Sequence, residues 1–287
     1  MPLVHFVSDL HGRVPRYKAL FAAIAREKPE AVFIGGDLLP HSRWPRGSQD
    51  HQPRDFINDF LVKNLLDLRC ELGASYPRLF LIMGNDDPRF EEAALMDAAT
   101  LGVWEYVHSR RVEFGQLAVY GYACVPPTPF LLKDWDRYDV SRYVDPGAVS
   151  PEEGIRSIPA SEHEVKYRTI KDDLGRLARS DDLTKAIFLF HAPPYQTKLD
   201  LAALGGKMID HVPLDPHLGS IAIRRFIDSR QPLLTLHGHV HEAARLSHSW
   251  RERLGRTHCF TAAHDGPELA LVRFDPENLD SATRELI

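Results

Sequence analysis

The sequence predicts an α/β fold of mostly parallel strands that alternate with helices. The first observation is that short apolar runs, bounded by Gly, Pro or Asp, alternate with longer segments whose apolar residues recur at helical spacing. The second is that several runs are apolar at successive positions, as strands covered on both faces are. The third is size, because 287 residues with 44% hydrophobic and 26% charged side chains can form a large core without disulfides.

The predicted elements keep this alternation along the chain. Strands are predicted at residues 3–8, 31–34, 78–83, 117–122, 186–190, 233–236, 258–263 and 268–274. Helices are predicted at residues 16–28, 54–72, 90–101, 162–179 and 218–230. The last two strands are joined by a few residues around Asp265-Gly266-Pro267, which predicts a hairpin and makes the sheet system mixed. We expect one domain over residues 1–287, with loop excursions at about 123–160 and 192–218.

Composition narrows the class of partner. The formal charge of −5 gives no bulk attraction to nucleic-acid phosphates or anionic lipid, so a small substrate is favoured over a polymer or a membrane. Cys70, Cys124 and Cys259 are scattered without CxxC spacing and are expected to be buried thiols. No signal-like segment and no apolar run of membrane-spanning length is found, so a cytoplasmic location is expected. The oligomeric state is left open.

Polar side chains are concentrated where five of the predicted strands end. In order along the chain they are Asp9, His11, Asp37, Asn85, Asp86, His191, His239 and His241. Ligands of open α/β sheets bind beyond the carboxyl ends of the strands, so these tips are expected to converge. Asp9 and His11, like His239 and His241, would point to the same side of an extended chain.

The donor types at these tips favour a metal site. Carboxylate, imidazole and amide groups without sulfur suit Mn, Fe, Zn, Co or Ni better than Ca. Each piece alone has a simpler explanation: Asp37 could cap a turn, Asn85 and Asp86 could form an Asx-turn, and His191 could be a packed core histidine. Their joint occurrence at five successive strand tips favours the metal.

The ordered motifs resemble those of the calcineurin-like metallophosphoesterases. They are Asp9-Leu10-His11, Gly36-Asp37, Gly84-Asn85-Asp86-Asp87, His191 and Gly238-His239-Val240-His241. The flanking residues are similar to the cytosolic bacterial and archaeal branch called Icc-like phosphoesterases. The resemblance implies a four-layer α/β/β/α sandwich of two mixed sheets, with a dimetal site at the C-terminal edge of the strands.

The resemblance also implies roles for these residues. Asp9, His11 and His241 would bind one divalent ion, Asn85, His191 and His239 the other, and Asp37 would bridge them. Manganese is the expected metal, with Fe, Zn, Ni or Co as alternatives. The pair of ions would polarise the phosphoryl oxygens and share a hydroxide that attacks phosphorus. Asp37, Asn85, Asp86 and His191 are thus the expected catalytic residues.

Asp86 departs from the commonest pattern of the family, which has histidine at this position. That histidine is credited with assisting the leaving group, whereas an aspartate is ordinarily ionised at neutral pH and is then a poor acid. We therefore expect a phosphodiesterase. The alternatives are a phosphomonoesterase or nuclease on the same site, a non-catalytic metal-binding scaffold, or an Asp86 that only shapes the turn.

Five further residues are candidate substrate contacts. Trp135 and Tyr195 could stack on a base or ring of a nucleotide-like substrate. Ser220 and Arg224 lie at a predicted helix start that could hold a phosphate, and Arg13 follows the first metal motif. The alternatives are that residues 123–160 only cover a sheet edge and that Ser220 is a simple helix cap.

Overall fold

The computed structural model describes residues 3–40 and 55–287. Its strands are β1 (Val4–Val7), β2 (Ala31–Gly35), β3 (Arg78–Ile82), β4 (Glu105–Tyr106), β5 (Arg111–Phe114), β6 (Leu117–Tyr122), β7 (Ala186–Phe190), β8 (Met208–Ile209), β9 (Val212–Pro213), β10 (Leu234–His237), β11 (Arg251–Leu254), β12 (Thr257–Thr261), β13 (Ala270–Asp275) and β14 (Asn278–Leu286). Its α-helices are α1 (Val14–Glu27), α2 (Lys63–Leu72), α3 (Glu92–Ala99), α4 (Glu162–Lys166), α5 (Ile170–Ala178), α6 (Ile221–Arg230) and α7 (Ala243–Ser247).

The strands form two six-stranded mixed sheets and a small hairpin. The first sheet has the order β14-β13-β1-β2-β3-β4, and the second has the order β11-β12-β10-β7-β6-β5. In the first sheet β1 to β4 are parallel, whereas β13 runs antiparallel to β1 and β14 antiparallel to β13. In the second, β6, β7, β10 and β12 are parallel and β5 and β11 are antiparallel edges. The predicted α/β class with mixed sheets is confirmed.

The two sheets pack face to face, with helices outside them. The rings of Phe260 on β12 and Phe274 on β13 meet between the sheets, with centroids 6.1 Å apart. On the outer side, His5 of β1 lies 2.9 Å from the carboxylate of Glu27 on α1, and Phe188 of β7 packs on Phe226 of α6. The order of layers is therefore helix, sheet, sheet, helix. In the part of the chain that the structure describes, no helix is long and apolar enough to cross a membrane.

The hairpin predicted around residues 265–267 is wrong. Strands β12 and β13 lie in different sheets, so the residues between them cross from one layer to the other. A short connection suits this crossing because packed sheets are only about 10 Å apart. The strands that pair antiparallel with the next strand in the chain are instead β5 with β6, β8 with β9, β11 with β12, and β13 with β14. β11 and β14 were not predicted, since they are rich in polar and charged residues.

Two predicted helices differ from the structure. Residues 162–179 form α4 and α5 rather than one helix, because the Thr169 hydroxyl accepts the Asp172 backbone N–H at 3.1 Å and caps a new helix. The segment predicted at 54–72 begins as a π-helix, Phe56–Val62, and continues as α2, while residue 54 lies outside the described residues. Cys124 and Cys259 are buried as expected, but Cys70 is exposed on α2.

Residues 123–160 and 192–218 contain little regular secondary structure. Residues 192–218 contain the short β8–β9 hairpin. Residues 123–160 form only isolated bridges, yet polar contacts fix them in place. The buried Lys133 ammonium donates to the Thr128 carbonyl at 2.7 Å and to Asp136 at 2.5 Å. The Asp134 carboxylate accepts the Arg89 N–H at 2.8 Å, which ties this loop to the residues after β3.

Candidate metal centre

The strand tips meet at one edge shared by both sheets. The first sheet supplies Asp9, His11, Asp37, Asn85 and Asp86 from the ends of β1, β2 and β3. The second sheet supplies His191, His239 and His241 from the ends of β7 and β10. All oxygen donors thus come from one sheet, and the other contributes only imidazoles.

A first group of donors is arranged around a common point. The ligand atoms of Asp9, His11, Asp37 and His241 all lie within 4.8 Å of one another. Nε2 of His11 lies 3.1 Å from Nε2 of His241, which in turn lies 3.3 Å from Asp9 Oδ1. Two ring nitrogens at this distance require a proton or a cation between them. Asp9 Oδ2 is buried without a hydrogen-bond partner among the described residues, so this donor set fits a cation.

Asp37 lies between this group and a second one. Its Oδ1 accepts the Asp86 backbone N–H at 2.9 Å. Its Oδ2 lies 3.7 Å from His11 Nε2 and 3.4 Å from His191 Nε2. His191 Nε2 is also 3.1 Å from Asn85 Oδ1. One carboxylate oxygen therefore faces the donors of both groups.

Hydrogen bonds behind the donors fix their orientation. His191 Nδ1 lies 2.7 Å from the Gly35 carbonyl oxygen and so carries a ring hydrogen, and Nε2 is the nitrogen that faces the site. The His239 backbone N–H donates to Asp9 Oδ1 at 3.0 Å. The rings of His191 and His239 have centroids 5.2 Å apart.

The pKa values of these groups indicate a site that needs positive charge. Burial would raise the pKa of Asp9, but the hydrogen bond and charge of His241 outweigh it and hold this pKa at about 2. Burial also opposes ionisation of Asp37, yet His191 and His11 keep its pKa well below the ordinary value. Burial alone would lower the pKa of His191, but the Asp37 carboxylate raises it to about 10. A metal ion at His191 would therefore compete with a proton.

The backbone at the tips is strained. Asp9, His11, Asp37 and His239 have φ angles of 58°, 48°, 51° and 74°, in the left-handed region. The assumption that the Asp9–His11 and His239–His241 pairs lie on extended chain is therefore wrong, because β1 and β10 end before them. Such residues cost about 1 kcal/mol or more each and cluster at functional sites. At Gly84 a Cβ atom would lie 2.6 Å from His191 Nε2, so only glycine fits there.

Asp87 is a structural residue of the site to which the sequence assigned no role. Its buried carboxylate accepts the backbone N–H groups of Leu38, Leu39 and Gly84 at 3.0, 2.7 and 2.9 Å, and so joins the tips of β2 and β3. Burial and the charge of Asp37 raise the pKa of Asp87 to about 7. Asp87 is part of the Gly84-Asn85-Asp86-Asp87 motif. The sequence alone does not indicate which of the two adjacent aspartates has the buried side chain.

Asp86 turns toward the donors. Its Oδ2 lies 3.5 Å from His11 Nδ1, and its Oδ1 accepts the Asn85 side-chain N–H at 3.1 Å. The side chain is 20% exposed, so it can be reached from solvent. A carboxylate therefore lines the rim of the site.

Arg13 is exposed near this rim, and its Nη1 donates to the Gly266 carbonyl at 3.3 Å. Trp135 is only 1% exposed and its indole N–H donates to the Asp87 carbonyl at 2.8 Å, so the ring is directed into the fold and not toward the metal-ligand donors. Tyr195 is half-buried and its hydroxyl donates to Asp215 at 2.6 Å.

The position at the start of α6 that was predicted to contact a phosphate is occupied by the Asp139 side chain. Ser220 is buried, caps Ile223 and donates to Asp139 at 2.5 Å, while the other Asp139 oxygen accepts the Ile221 N–H at 2.7 Å. The negative charge at this helix start is therefore an internal carboxylate. Arg224 is also engaged, since its guanidinium donates to Asp228 and to two backbone carbonyls.

Comparison with known proteins identifies the family. A family model for the calcineurin-like phosphoesterases matches residues 2–243, so the chain belongs to this family. The family is one of metallophosphoesterases with a dimetal centre, which makes this chain a phosphoric ester hydrolase by membership. A search of curated proteins found no match.

Solved structures resemble the whole chain at low identity. One shares 17% identity with a TM-score of 0.57 and covers 100% of this chain and 99% of its own. The protein TT1561 of Thermus thermophilus shares 15% identity with a TM-score of 0.55, covering 99% of this chain and 98% of its own. A structure described as a novel archaeal phosphodiesterase shares 10% identity with a TM-score of 0.45, covering 99% of both chains. The first two similarities show only that the fold is shared.

Proposed function

We propose that this protein hydrolyses a small phosphodiester with two divalent metal ions, manganese being favoured. Asp9, His11 and His241 would hold one ion, Asn85, His191 and His239 the other, and Asp37 would bind both. The fit of the Asp9 group to a cation and the position of Asp37 Oδ2 between both groups support this assignment. When bound, such ions polarise phosphoryl oxygens and activate water.

The chain's own residues prepare the site for these ions. The Asp86 N–H fixes Asp37 Oδ1, so that Oδ2 stays directed at both groups of donors. The Gly35 carbonyl selects the tautomer of His191 that presents Nε2. Because these partners are already in place, little reorganisation would be needed when the metal and substrate bind. Arg13, exposed beside His11 in the chain, is our candidate for a contact to the substrate phosphate.

The preference for a diester rests on the Asp86 carboxylate at the rim. Two divalent ions bring four positive charges, of which Asp9 and Asp37 offset two, and Asp86 would offset a third. One positive charge then remains, so both kinds of ester are attracted, but the Asp86 carboxylate reduces this attraction more for a monoester with two negative charges than for a diester with one. Asp86 also replaces a group that could donate a proton to a poor leaving group. Both effects favour diesters and activated esters.

An assay of the full chain after removal of bound metal and reloading with manganese tests the proposal. The kcat/KM for bis(4-nitrophenyl) phosphate should exceed that for 4-nitrophenyl phosphate, and elemental analysis should give two manganese ions per chain. Reloading with zinc, iron, cobalt or nickel tests the choice of metal. A higher kcat/KM for the monoester would overturn the diester preference. Two bound ions with no hydrolysis of either ester would favour a scaffold.

A further inference from the structure

A second polar site lies next to the metal centre. A cavity of about 250 Å³ is bounded by residues after β3 and β4, by the loop at 123–160 and by residues 164–173. We call it the Arg137 cavity, and its lining includes Arg89, Ser109, Trp135, Arg137 and Arg168. None of the donors of the metal centre lines it.

Arg137 has a donor without a partner at the floor of this cavity. Its side chain is only 7% exposed. Its Nη2 donates to Glu164 at 3.1 Å, and its Nε lies 3.2 Å from Asp173 Oδ2. Its Nη1 is buried with no nitrogen or oxygen acceptor in the described part of the chain, and the guanidinium's remaining neighbour is the Cys124 thiol, a weak acceptor. A buried guanidinium N–H without an acceptor is costly unless a ligand or water accepts it.

Ser109 supplies a second donor. The His108 Nδ1 accepts the Ala123 N–H at 2.9 Å, so the ring hydrogen is on Nε2 and is donated to Ser109 Oγ at 3.1 Å. Ser109 Oγ therefore acts as an acceptor toward His108, which leaves its own hydrogen for another group. Ser109 also has a φ of 54°, a conformation that is uncommon for serine.

The carboxylates of the lining are occupied by other donors. Asp134 accepts the N–H groups of Arg89 and Ser157 at 2.8 and 2.9 Å. Asp173 accepts the Tyr122 hydroxyl at 2.8 Å and Arg168 Nη2 at 2.7 Å. The third carboxylate, Glu164, accepts Arg89 Nη1 at 2.9 Å and Arg137 Nη2 at 3.1 Å through Oε1. The donors left over are Arg137 Nη1 and the Ser109 hydroxyl, and a ligand that pairs with them must bring acceptors.

The cavity is open past two further guanidinium groups. The side chains of Arg168 and Arg89 are 33% and 25% exposed, whereas that of Arg137 is 7% exposed. A ligand would enter between the first two and reach the third. Guanidinium groups match the planar, paired oxygens of carboxylates and phosphates.

We propose that the Arg137 cavity binds a small oxyanion, either a phosphate or a carboxylate group, independently of the metal centre. Its lining carries three arginines and three carboxylates, so the net charge does not favour an anion. The preference for an anion comes from the donors that lack partners. The volume of about 250 Å³ leaves room for the anion together with several water molecules. The Trp135 ring in the wall donates to Asp87, which places this ligand directly behind the loop that carries Asn85 and Asp86.

Equilibrium dialysis of labelled inorganic phosphate against the manganese-loaded full chain tests this proposal. Wild type should bind two phosphates, one at the metals and one in the cavity. Arg137→Lys keeps the positive charge beside Glu164 but removes the Nη1 donor, and it should weaken the cavity site by about tenfold or more. Asp37→Ala should remove only the phosphate at the metals. The matched control is Arg111→Lys, since Arg111 is paired with Glu113 and is 44% exposed.

The outcomes separate this proposal from the proposed function. The cavity site is overturned if Asp37→Ala protein binds no phosphate, or if Arg137→Lys and Arg111→Lys bind it equally. If Asp37→Ala leaves both phosphates bound, the metal assignment fails while the cavity site stands. Acetate competition in Asp37→Ala protein distinguishes the two sources: displacement indicates a general oxyanion site and no displacement a phosphate site. Should Arg137→Lys not fold, Arg168→Gln at the partly exposed mouth must weaken the same site.

Discussion

The metal-ligand cluster and the Arg137 cavity both use the segment 84–89, through Asn85 and Asp86 in the cluster and Arg89 in the cavity, but their unsatisfied groups are of opposite kind. In the cluster, carboxylate oxygens and imidazole nitrogens face one another, and Asp9 Oδ2 has no hydrogen-bond partner in the described residues. In the cavity, Arg137 Nη1 is the buried group that lacks an acceptor there. A surplus of acceptors needs a cation, and a surplus of donors needs an anion. From this comparison we expect a cation at the cluster and an anion in the cavity.

The largest expected effect comes from removing the carboxylate that faces both groups of donors. Asp37→Ala should abolish hydrolysis and lower the manganese content below two per chain, while the circular dichroism spectrum stays that of wild type. The proposed metal ligands lie at the strand tips, whereas the apolar core lies between the sheets and beneath the helices, so the fold should survive. The exposed Asp97→Ala is the control and should keep full activity. Unchanged turnover of Asp37→Ala would contradict the whole site assignment.

The next effect concerns the charge at the rim of the cluster. Asp86→His should raise the hydrolysis of alkyl phosphomonoesters relative to diesters, within the ~10²–10⁴-fold range of general acid catalysis. Aryl phosphates should respond less, because their leaving groups need no proton. Asp86→Asn removes the charge without adding an acid, so it should raise aryl and alkyl monoester rates by the same modest factor.

Rates of alkyl and aryl esters measured over a series of leaving groups distinguish these two contributions. If Asp86→His changes the rates of alkyl and aryl monoesters by the same factor, Asp86 acts only through its charge. If neither substitution changes the ratio of monoester to diester activity, the diester preference loses its main support.

The cluster could be predicted from the sequence, whereas the cavity could not. Each cluster residue follows an apolar run that forms a buried strand, and parallel strands bring their carboxyl ends to one edge whatever the loops do. The cavity instead combines Arg89, Ser109, Arg137 and Arg168, which come from four distant segments without a shared local pattern. Only tertiary packing brings them together.

The residues predicted from loops to contact the substrate have other surroundings in the structure, for the same reason. Ser220 was expected to help bind phosphate, but Asp139, which is far away in sequence, fills that helix start. Trp135 was expected to face a substrate, but the loop at 123–160 folds inward and buries it. The local sequence correctly indicated a helix start and an aromatic loop. It contained no information about the distant residues that pack against them.

A smaller effect is expected on the free energy of unfolding, from the neutral imidazole of His108 in the wall of the cavity. Burial, followed by the charge of Arg137, lowers the pKa of His108 to about 3 from the ordinary 6.5. As the pH falls below 6.5, the unfolded chain takes up a proton that the folded chain does not. The stability contributed by neutral His108 is therefore present above pH 6.5 and is lost as the pH falls from 6.5 toward 3. By pH 5.5 the loss should be up to about 1.4 kcal/mol.

Urea unfolding at pH 7.5 and 5.5 measures this contribution. His108→Gln cannot titrate, so its free energy of unfolding should fall by about 1 kcal/mol less between the two pH values than that of wild type. His163→Gln, an exposed histidine of α4, controls for the substitution itself. Equal losses in wild type and His108→Gln would mean that His108 takes up its proton in the folded state, against the neutral lining described above.

The smallest expected effect on activity tests whether the shared wall connects the two sites. Trp135 and Trp104 are 1% and 3% exposed, and their indole N–H groups donate to the carbonyls of Asp87 at 2.8 Å and Leu95 at 2.9 Å. Trp→Phe at either position removes one buried hydrogen bond and leaves a carbonyl without its partner, at a cost of about 1–3 kcal/mol in the free energy of unfolding. Only Trp135→Phe loosens the segment that positions Asn85 and Asp86. It should therefore lower kcat a few-fold while Trp104→Phe leaves kcat unchanged, although both lose similar stability. Equal kcat values for the two variants would mean that the cavity and the metal centre share a wall but do not influence each other.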